Sequence, residues 1–413
     1  MLQQVSMGYK DIKTYEPIMG TQYIDELKEL ANKLKGLRIL YINSTPFGGG
    51  VAELLSAYLP LMIDLGIDAE WRIIYGDKYF FSVTKKMHNA LQGAPLSLTQ
   101  HLREHYLGNI MANVEKLDAE NYDVVIVNDP QPAALLSFIK SKNGSKWIWR
   151  AHIDMSSPNP QVWQFLKPHI EKYDAAIFTM KEFIPKDLKA RTAIIPPAID
   201  VSNTKNMDLP PYLPRAVLKN SGVDISHPVI LQVSRFDPWK DPLGVIESYR
   251  LVKQEIPEVQ LVLVGALAQD DPEGWAMYGT INREAVKDPD MYLFTNQTST
   301  GSLEVNALQR ACDVVIQKSI REGFGLVVSE ALWKAKPVVA GRAGGIKLQM
   351  TGKLEDFLID STEDAAKKIV QFLESPQLME EYGALGRENV RKNFLMPRYI
   401  KEELELIADL VKA

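Results

Sequence analysis

The sequence predicts an α/β protein of two domains, each a parallel sheet with helices on both faces. Three observations carry that prediction. Short apolar runs alternate with longer helical patterns along the whole chain, as in doubly wound sheets. The chain has 413 residues, more than one hydrophobic core usually serves. The apolar runs also fall into two sets, separated by Val201 to Pro214, a stretch polar at first and then rich in proline that reads as a linker.

The first set of runs covers 37–43, 70–75, 123–127, 146–150 and 175–179; the second covers 228–233, 260–264, 291–294, 313–316 and 337–340. The expected boundary lies near residue 215, giving domains 1–215 and 216–392. The closing stretch 393–413 is helical in pattern, with Ile400, Leu404, Ile407 and Val411 on one face.

Several runs end in polar or glycine-rich segments, and ligands of open parallel sheets bind at the carboxyl ends of strands. Run 37–43 opens into Ser44-Thr45-Pro46-Phe47-Gly48-Gly49-Gly50, where a glycine turn lets a backbone approach a ligand; an ordinary tight turn is the alternative. After 70–75 come Tyr79-Phe80-Phe81 and then Lys85, His88 and Asn89, which share one helical face. Rings beside polar side chains suit a sugar, though Phe80 and Phe81 also fit a core. Run 123–127 leads to Asn128-Asp129-Pro130-Gln131, whose Asp129 and Gln131 can reach hydroxyls or simply form a turn. Run 146–150 leads to His152 and Asp154. Near neutrality, a histidine donates from one ring nitrogen and accepts at the other.

In the second set, 228–233 leads to Ser234-Arg235-Phe236-Asp237-Pro238-Trp239-Lys240. A guanidinium fork and a lysine point charge on one loop suit the two phosphates of a diphosphate, or else belong to a solvated surface. Run 313–316 leads to Arg321-Glu322-Gly323-Phe324-Gly325-Leu326-Val327-Val328-Ser329-Glu330, a glycine turn flanked by two carboxylates. The N–H groups of a turn and helix start favour an anion. A carboxylate early in the helix accepts from a vicinal diol such as a ribose. An acidic cap and a helix-surface glutamate are the plain alternative.

Together, the S-R-x-x-x-x-K loop and the E-G-F-G-L-x-x-x-E segment resemble the donor motifs of retaining glycosyltransferases of the GT-B fold, two Rossmann-like domains facing each other across a cleft. The segments Asn128 to Pro132, Trp149 to Asp154 and Lys85 to Gly93 narrow the resemblance to the trehalose-forming subgroup. It implies that Arg235 and Lys240 hold the diphosphate, that Glu330 holds the ribose, and that Glu322 contacts the hydroxyls of the transferred sugar. Gly323, Phe324, Gly325, Leu326 and Val327 would present backbone to the donor, as would Gly49 and Gly50. His152 would lie beside the transferred glucose. Asp154, Asp129, Gln131, Lys85, His88 and Asn89 would serve the acceptor. The implied reaction is glucosyl transfer from a nucleotide-sugar donor, UDP- or ADP-glucose, to a glucose acceptor, giving α,α-trehalose. A phosphorylase using glucose 1-phosphate and a non-catalytic nucleotide-sugar sensor are the rivals. In this resemblance the last helix crosses back onto the N-terminal domain.

A formal net charge of −5 argues against a general nucleic-acid or membrane-surface role. No run approaches the ~20 apolar residues of a membrane span, and Met1 to Glu16 lacks the apolar core of a signal peptide, so a cytoplasmic protein is expected. The single cysteine, Cys312, precedes an apolar run and reads as core. His101-Leu102-Arg103-Glu104-His105 matches a zinc-protease spacing, but no third ligand is identifiable and it reads as a polar helix surface. No metal site and no required cofactor are predicted, with Mg²⁺ left as an optional activator. A homodimer is compatible with the sequence.

Overall fold

The computed structural model describes every residue except 48, 268–271, 299 and 413. The chain divides into two compact units, Met1–Ala198 with Met396–Ala413, and Ile199–Leu395. The first is built on seven strands, β1 (Gln3–Gln4), β2 (Arg38–Asn43), β3 (Asp68–Ile73), β4 (Val124–Asn128), β5 (Lys146–Arg150), β6 (Ala175–Phe178) and β7 (Thr192–Ile194). Their order is β1-β3-β2-β4-β5-β6-β7. Only β1 runs antiparallel to its neighbour; the other pairs are parallel. The second unit holds β8 (Val229–Val233), β9 (Gln260–Gly265), β10 (Met291–Thr295), β11 (Val314–Gln317), β12 (Val338–Gly341) and β13 (Leu358–Ile359), all parallel in the order β10-β9-β8-β11-β12-β13.

Central strands such as β4 and β8 are buried at every position. Helices cover both faces of such a sheet, so the strands read as continuous apolar runs rather than alternating ones. Helix starts are also written locally. Asn159-Pro160, Asp241-Pro242 and Ser375-Pro376 each place a short polar cap before a proline at the first helical position, and each cap side chain accepts a backbone N–H.

The domain boundary differs from the expected one near 215. Residues 201–214 are part of the second unit. Their polar groups have buried partners: Asn306 donates to the carbonyls of Thr204 (2.9 Å) and Met207 (2.8 Å), and Lys334 donates to Asn206 (2.8 Å). The chain passes between units after Ala198 and after Leu395, and Ile199 donates to the Phe394 carbonyl at 2.8 Å. The last helix, Met396–Lys412, belongs to the first unit, buried along Ile400, Leu404 and Ile407. Its face closes with Leu410 rather than Val411, which is exposed.

Candidate active site

Each sheet contains one point where parallel neighbouring strands are not consecutive in sequence and the chain reverses its direction across the sheet. In the second unit this point lies between β8 and β11, and it is where an open α/β sheet forms a ligand crevice. The loops after these two strands are the S-R-x-x-x-x-K and E-G-F-G segments. They are joined: Lys240 Nζ pairs with Glu322 Oε2, and the Ile320 N–H donates to the Trp239 carbonyl at 2.8 Å. Ser319 Oγ donates to the same Glu322 oxygen at 3.2 Å and itself accepts from Gln317 at the end of β11 (3.2 Å). Lys318 Nζ pairs with Asp241, which has left-handed backbone (φ 47°) and whose side chain caps the next helix by accepting from the Gly244 N–H. Arg235 stays on the surface, its side chain 57% exposed and 3.1 Å from Asp237.

The glycine turn is tightly supported. Gly325 adopts φ 85° and begins helix Leu326–Trp333 without a side-chain cap. The first N–H groups of that helix, those of Leu326 and Val327 among them, therefore lack intrahelical acceptors. Gln349 donates to the carbonyls of Phe324 (2.5 Å) and Gly325 (3.3 Å), so the turn's amides and carbonyls face different ways. A Cβ on Gly345 would lie 2.5 Å from the Gly323 carbonyl oxygen, so glycine is needed there for close approach.

Glu330 sits differently from a residue open to a diol. It is 1% exposed; Lys205 Nζ lies 3.2 Å from Oε1, and Gln309 donates to Oε2 at 3.4 Å. Lys334, one turn on, donates to the Glu330 carbonyl at 3.2 Å, and burial lowers its pKa to about 7. One lysine at the buried carboxylate and a second at the carbonyl of the same residue are features that the motif alone does not disclose.

In the first unit the reversal lies between β2 and β4. Asn128 closes β4, and His152 follows β5 beside it. His152 Nε2 lies 2.9 Å from Asn128 Oδ1, and the His152 backbone N–H donates to Asp129 Oδ1 at 2.9 Å. Asp129 adopts φ 66° and is buried. Burial pushes its carboxyl up to about 7, against the pull of the His152 N–H and the Arg150 charge. Burial first, then Arg150, holds His152 well below the ordinary histidine value. The structure thus gathers Asn128, Asp129 and His152 at one strand edge. Asp154 is buried and accepts from the Ser156 N–H at 2.9 Å. Gln131 has a buried Oε1 with no hydrogen-bond partner among the described residues.

Other expected residues lie on other elements. Lys85, His88 and Asn89 lie on helix Lys78–Leu91, with Lys85 exposed. Phe80 is fully buried against Tyr106, which removes it as a sugar-stacking ring. Gly49 has extended backbone (φ −175°) that any residue adopts and precedes helix Gly50–Asp64; Gly48 lies outside the described residues. Of the zinc-like pair, His101 packs beside Tyr79, while His105 contacts Tyr79 and approaches Asp77 at 3.5 Å. No group of three or more metal-ligating side chains occurs among the described residues. Cys312 is buried, as expected of core, its thiol pushed up to about 12 by burial. Sequence reasoning missed Asn128, Ser319 and Lys205. Asn128 and Ser319 were legible in principle as polar residues at or just past strand ends, whereas Lys205 lay in the stretch read as a linker.

Residues 41–185 match the family model of the trehalose synthase N-terminal domain, and residues 218–389 that of glycosyl transferases group 1. The chain is 50% identical over 416 residues to a trehalose synthase of Rubrobacter xylanophilus, covering 100% of both chains. It is 44% identical to that of Pyrococcus horikoshii, covering 99% of both. The chain belongs to the trehalose synthase family. It is therefore a hexosyltransferase, and its chemistry is trehalose-related glycosyl transfer. A trehalose phosphorylase of Pleurotus pulmonarius is 30% identical, over 82% of this chain and 52% of its own length. Among solved structures, an E. coli trehalose-6-phosphate protein bound with UDP-2-fluoro glucose aligns with TM-score 0.71 at 15% identity, covering 91% of this chain and 99% of that one. Sucrose-phosphate synthase from Thermosynechococcus elongatus aligns with TM-score 0.68 at 18% identity, over 91% and 99%. These structures establish the GT-B fold. No described helix is long and apolar enough to cross a membrane.

Proposed function

We propose that the protein is a retaining glucosyltransferase that makes α,α-trehalose from a nucleoside-diphosphate glucose, UDP- or ADP-glucose, and free glucose. The observation that carries this reading is the Lys240–Glu322 pair, which ties the two donor-type loops together at the β8/β11 reversal. In the reaction, the bond from glucose C1 to the diphosphate oxygen breaks. The acceptor oxygen bonds to C1 on the same face, and its proton passes to the departing diphosphate. Arg235 and Lys240 supply cationic donors where that negative charge grows. Glu322, already an acceptor for Lys240 and Ser319, orients the sugar hydroxyls rather than attacking C1. Any metal acts as an activator, so a chelator leaves most of the activity in place.

Free glucose is favoured over a phosphorylated acceptor by the placement of Arg150. The segments Trp149 to Asp154 and Lys85 to Gly93 offer Arg150, Lys85 and Lys86 as cations for an acceptor phosphate; Arg150 is buried, donates to the Ile195 carbonyl at 2.6 Å and lies over the Tyr399 ring. Lys85 and Lys86 are on the surface. A second reading, a phosphorylase using glucose 1-phosphate, draws on the burial of Glu330, whose carboxylate is engaged by Lys205 and Gln309 rather than open to a ribose. One panel decides between them. It offers UDP-, ADP- and GDP-glucose and glucose 1-phosphate as donors, with glucose and glucose 6-phosphate as acceptors, and identifies products by NMR. Trehalose from a nucleotide sugar and glucose supports the synthase; turnover of glucose 1-phosphate alone overturns it.

A further inference from the structure

Asn128 is buried, and its amide can face only one way. Nδ2 donates to the Ile42 carbonyl at 3.2 Å, which leaves Oδ1 facing His152 Nε2 at 2.9 Å. Turning the amide over would set its oxygen against the Ile42 carbonyl oxygen and lose that bond. An acceptor opposite Nε2 requires the proton to sit on Nε2, and a neutral imidazole then carries a bare lone pair on Nδ1. Nδ1 has no hydrogen-bond partner among the described residues and is not among the buried unpartnered atoms. We infer that Asn128 is a positioning residue that fixes His152 as the Nε2–H tautomer and so makes Nδ1 an acceptor for a hexose hydroxyl. This rests on the glucosyltransferase reading for the identity of the sugar, but the tautomer itself does not.

The arrangement has a chemical consequence. A histidine serving as a proton donor to substrate would need its proton on the outward nitrogen, and here that nitrogen has none. His152 accepts, so the sugar hydroxyl that meets it must donate, and an analogue with fluorine in place of that hydroxyl cannot. The strand edge reinforces the choice. The Asp129 carboxylate fixes the His152 backbone N–H, while Asn128, the preceding residue, fixes the ring.

The test is ¹⁵N NMR of the histidine-labelled protein at pH 8, above the ordinary histidine pKa of about 6.5. The protein has six histidines, and the His152 signals are those absent from His152→Gln. The expected result is a pyrrole-type Nε2 with a solvent-protected proton and a pyridine-type Nδ1 that shifts when UDP-glucose and glucose are added. Asn128→Leu should lose the protected Nε2–H signal and lower kcat/KM roughly three- to tenfold, the size of one neutral hydrogen bond. Asn128→Asp, which keeps an acceptor oxygen, should retain the signal. A proton on Nδ1 in the unsubstituted protein overturns the inference, as does a Nδ1 resonance unmoved by sugar during active turnover. Absence of glucosyl transfer in the unsubstituted protein would instead overturn the proposed function, while the resting tautomer still decides the role of Asn128.

Discussion

Two residues at the β8/β11 reversal differ in how much structure rests on them. Arg235 is largely exposed beside Asp237, whereas Lys240 bridges two loops through Glu322 and its carbonyl accepts from Gln232 at 3.0 Å. Arg235→Ala should therefore lower turnover by roughly 10²–10³ with unchanged melting, as for loss of one charge-stabilising donor. Lys240→Ala should lower turnover similarly and also loosen the loop pair, which limited proteolysis would detect. Near-normal turnover in both variants would remove the donor assignment. A second residue-scale prediction concerns Asp129. Its folded pKa is raised to about 7 by burial, above an unfolded value of ~3.9. Between those values the folded state holds the extra proton, so this group's contribution to stability falls as pH rises from about 4 to about 7 and is flat above. Asp129→Asn keeps an oxygen for the His152 N–H and tolerates the left-handed backbone. Its stability relative to the unsubstituted protein should therefore climb across that window and then level off. A pH-independent difference in melting would show that burial does not control Asp129.

At the scale of elements, the E-G-F-G turn depends on a neighbour it does not predict. Gly345 follows β12, and a Cβ there would meet the Gly323 carbonyl oxygen at 2.5 Å and Phe324 Cα at 2.6 Å. Neither backbone atom can swing aside. Gly345→Ala should cost about 1–3 kcal/mol, as overpacking does, and should displace the Glu322 carbonyl, which accepts from the Gly345 N–H at 3.1 Å. Transfer should fall more than stability; unchanged kinetics would show that the turn is set by Gly325 and Gln349 alone. This is also where the sequence was most and least readable. The nine interior strands were legible because burial on both faces makes them largely continuous apolar runs, and the edge strand β10 because its five residues are long enough to carry a pattern. The edge strands β1, β7 and β13 have two or three residues each, too short to carry a pattern. The joined loops after β8 and β11 were legible as a candidate site because charged and glycine residues cluster just past those strands. The engagement of Glu330 by Lys205 was not, because a contact between distant segments leaves no local trace. The polar stretch 201–214 was read as a linker for the same reason: its partners, Asn306 and Lys334, lie about a hundred residues on.

At the scale of the molecule, the first unit is assembled from both ends of the chain, and one buried carboxylate joins them. Glu403, on the last helix, is 1% exposed. Its Oε1 accepts from Tyr41 of β2 at 2.7 Å and from Tyr58 of helix Gly50–Asp64, and its Oε2 accepts from Tyr399 at 3.3 Å. Arg150 lies over the Tyr399 ring, and its charge favours the ionised carboxylate, although burial on balance raises the Glu403 pKa. Removing Glu403 leaves the buried tyrosine hydroxyls without their acceptor, which costs about 1–3 kcal/mol for each group left unsatisfied. Glu403→Ala should therefore lower the unfolding temperature of the first unit by on the order of 10 °C. Glu403→Gln, which keeps a carbonyl for the tyrosines, should lower it less. Every residue of the cluster belongs to the first unit, so nucleotide binding, proposed for the second unit, should persist in Glu403→Ala at temperatures where the first unit still holds. Calorimetry paired with titration of UDP measures both. A variant that melts like the unsubstituted protein would mean that the apolar face of Ile400, Leu404 and Ile407 anchors the helix by itself, and that the buried carboxylate contributes nothing to closing the unit.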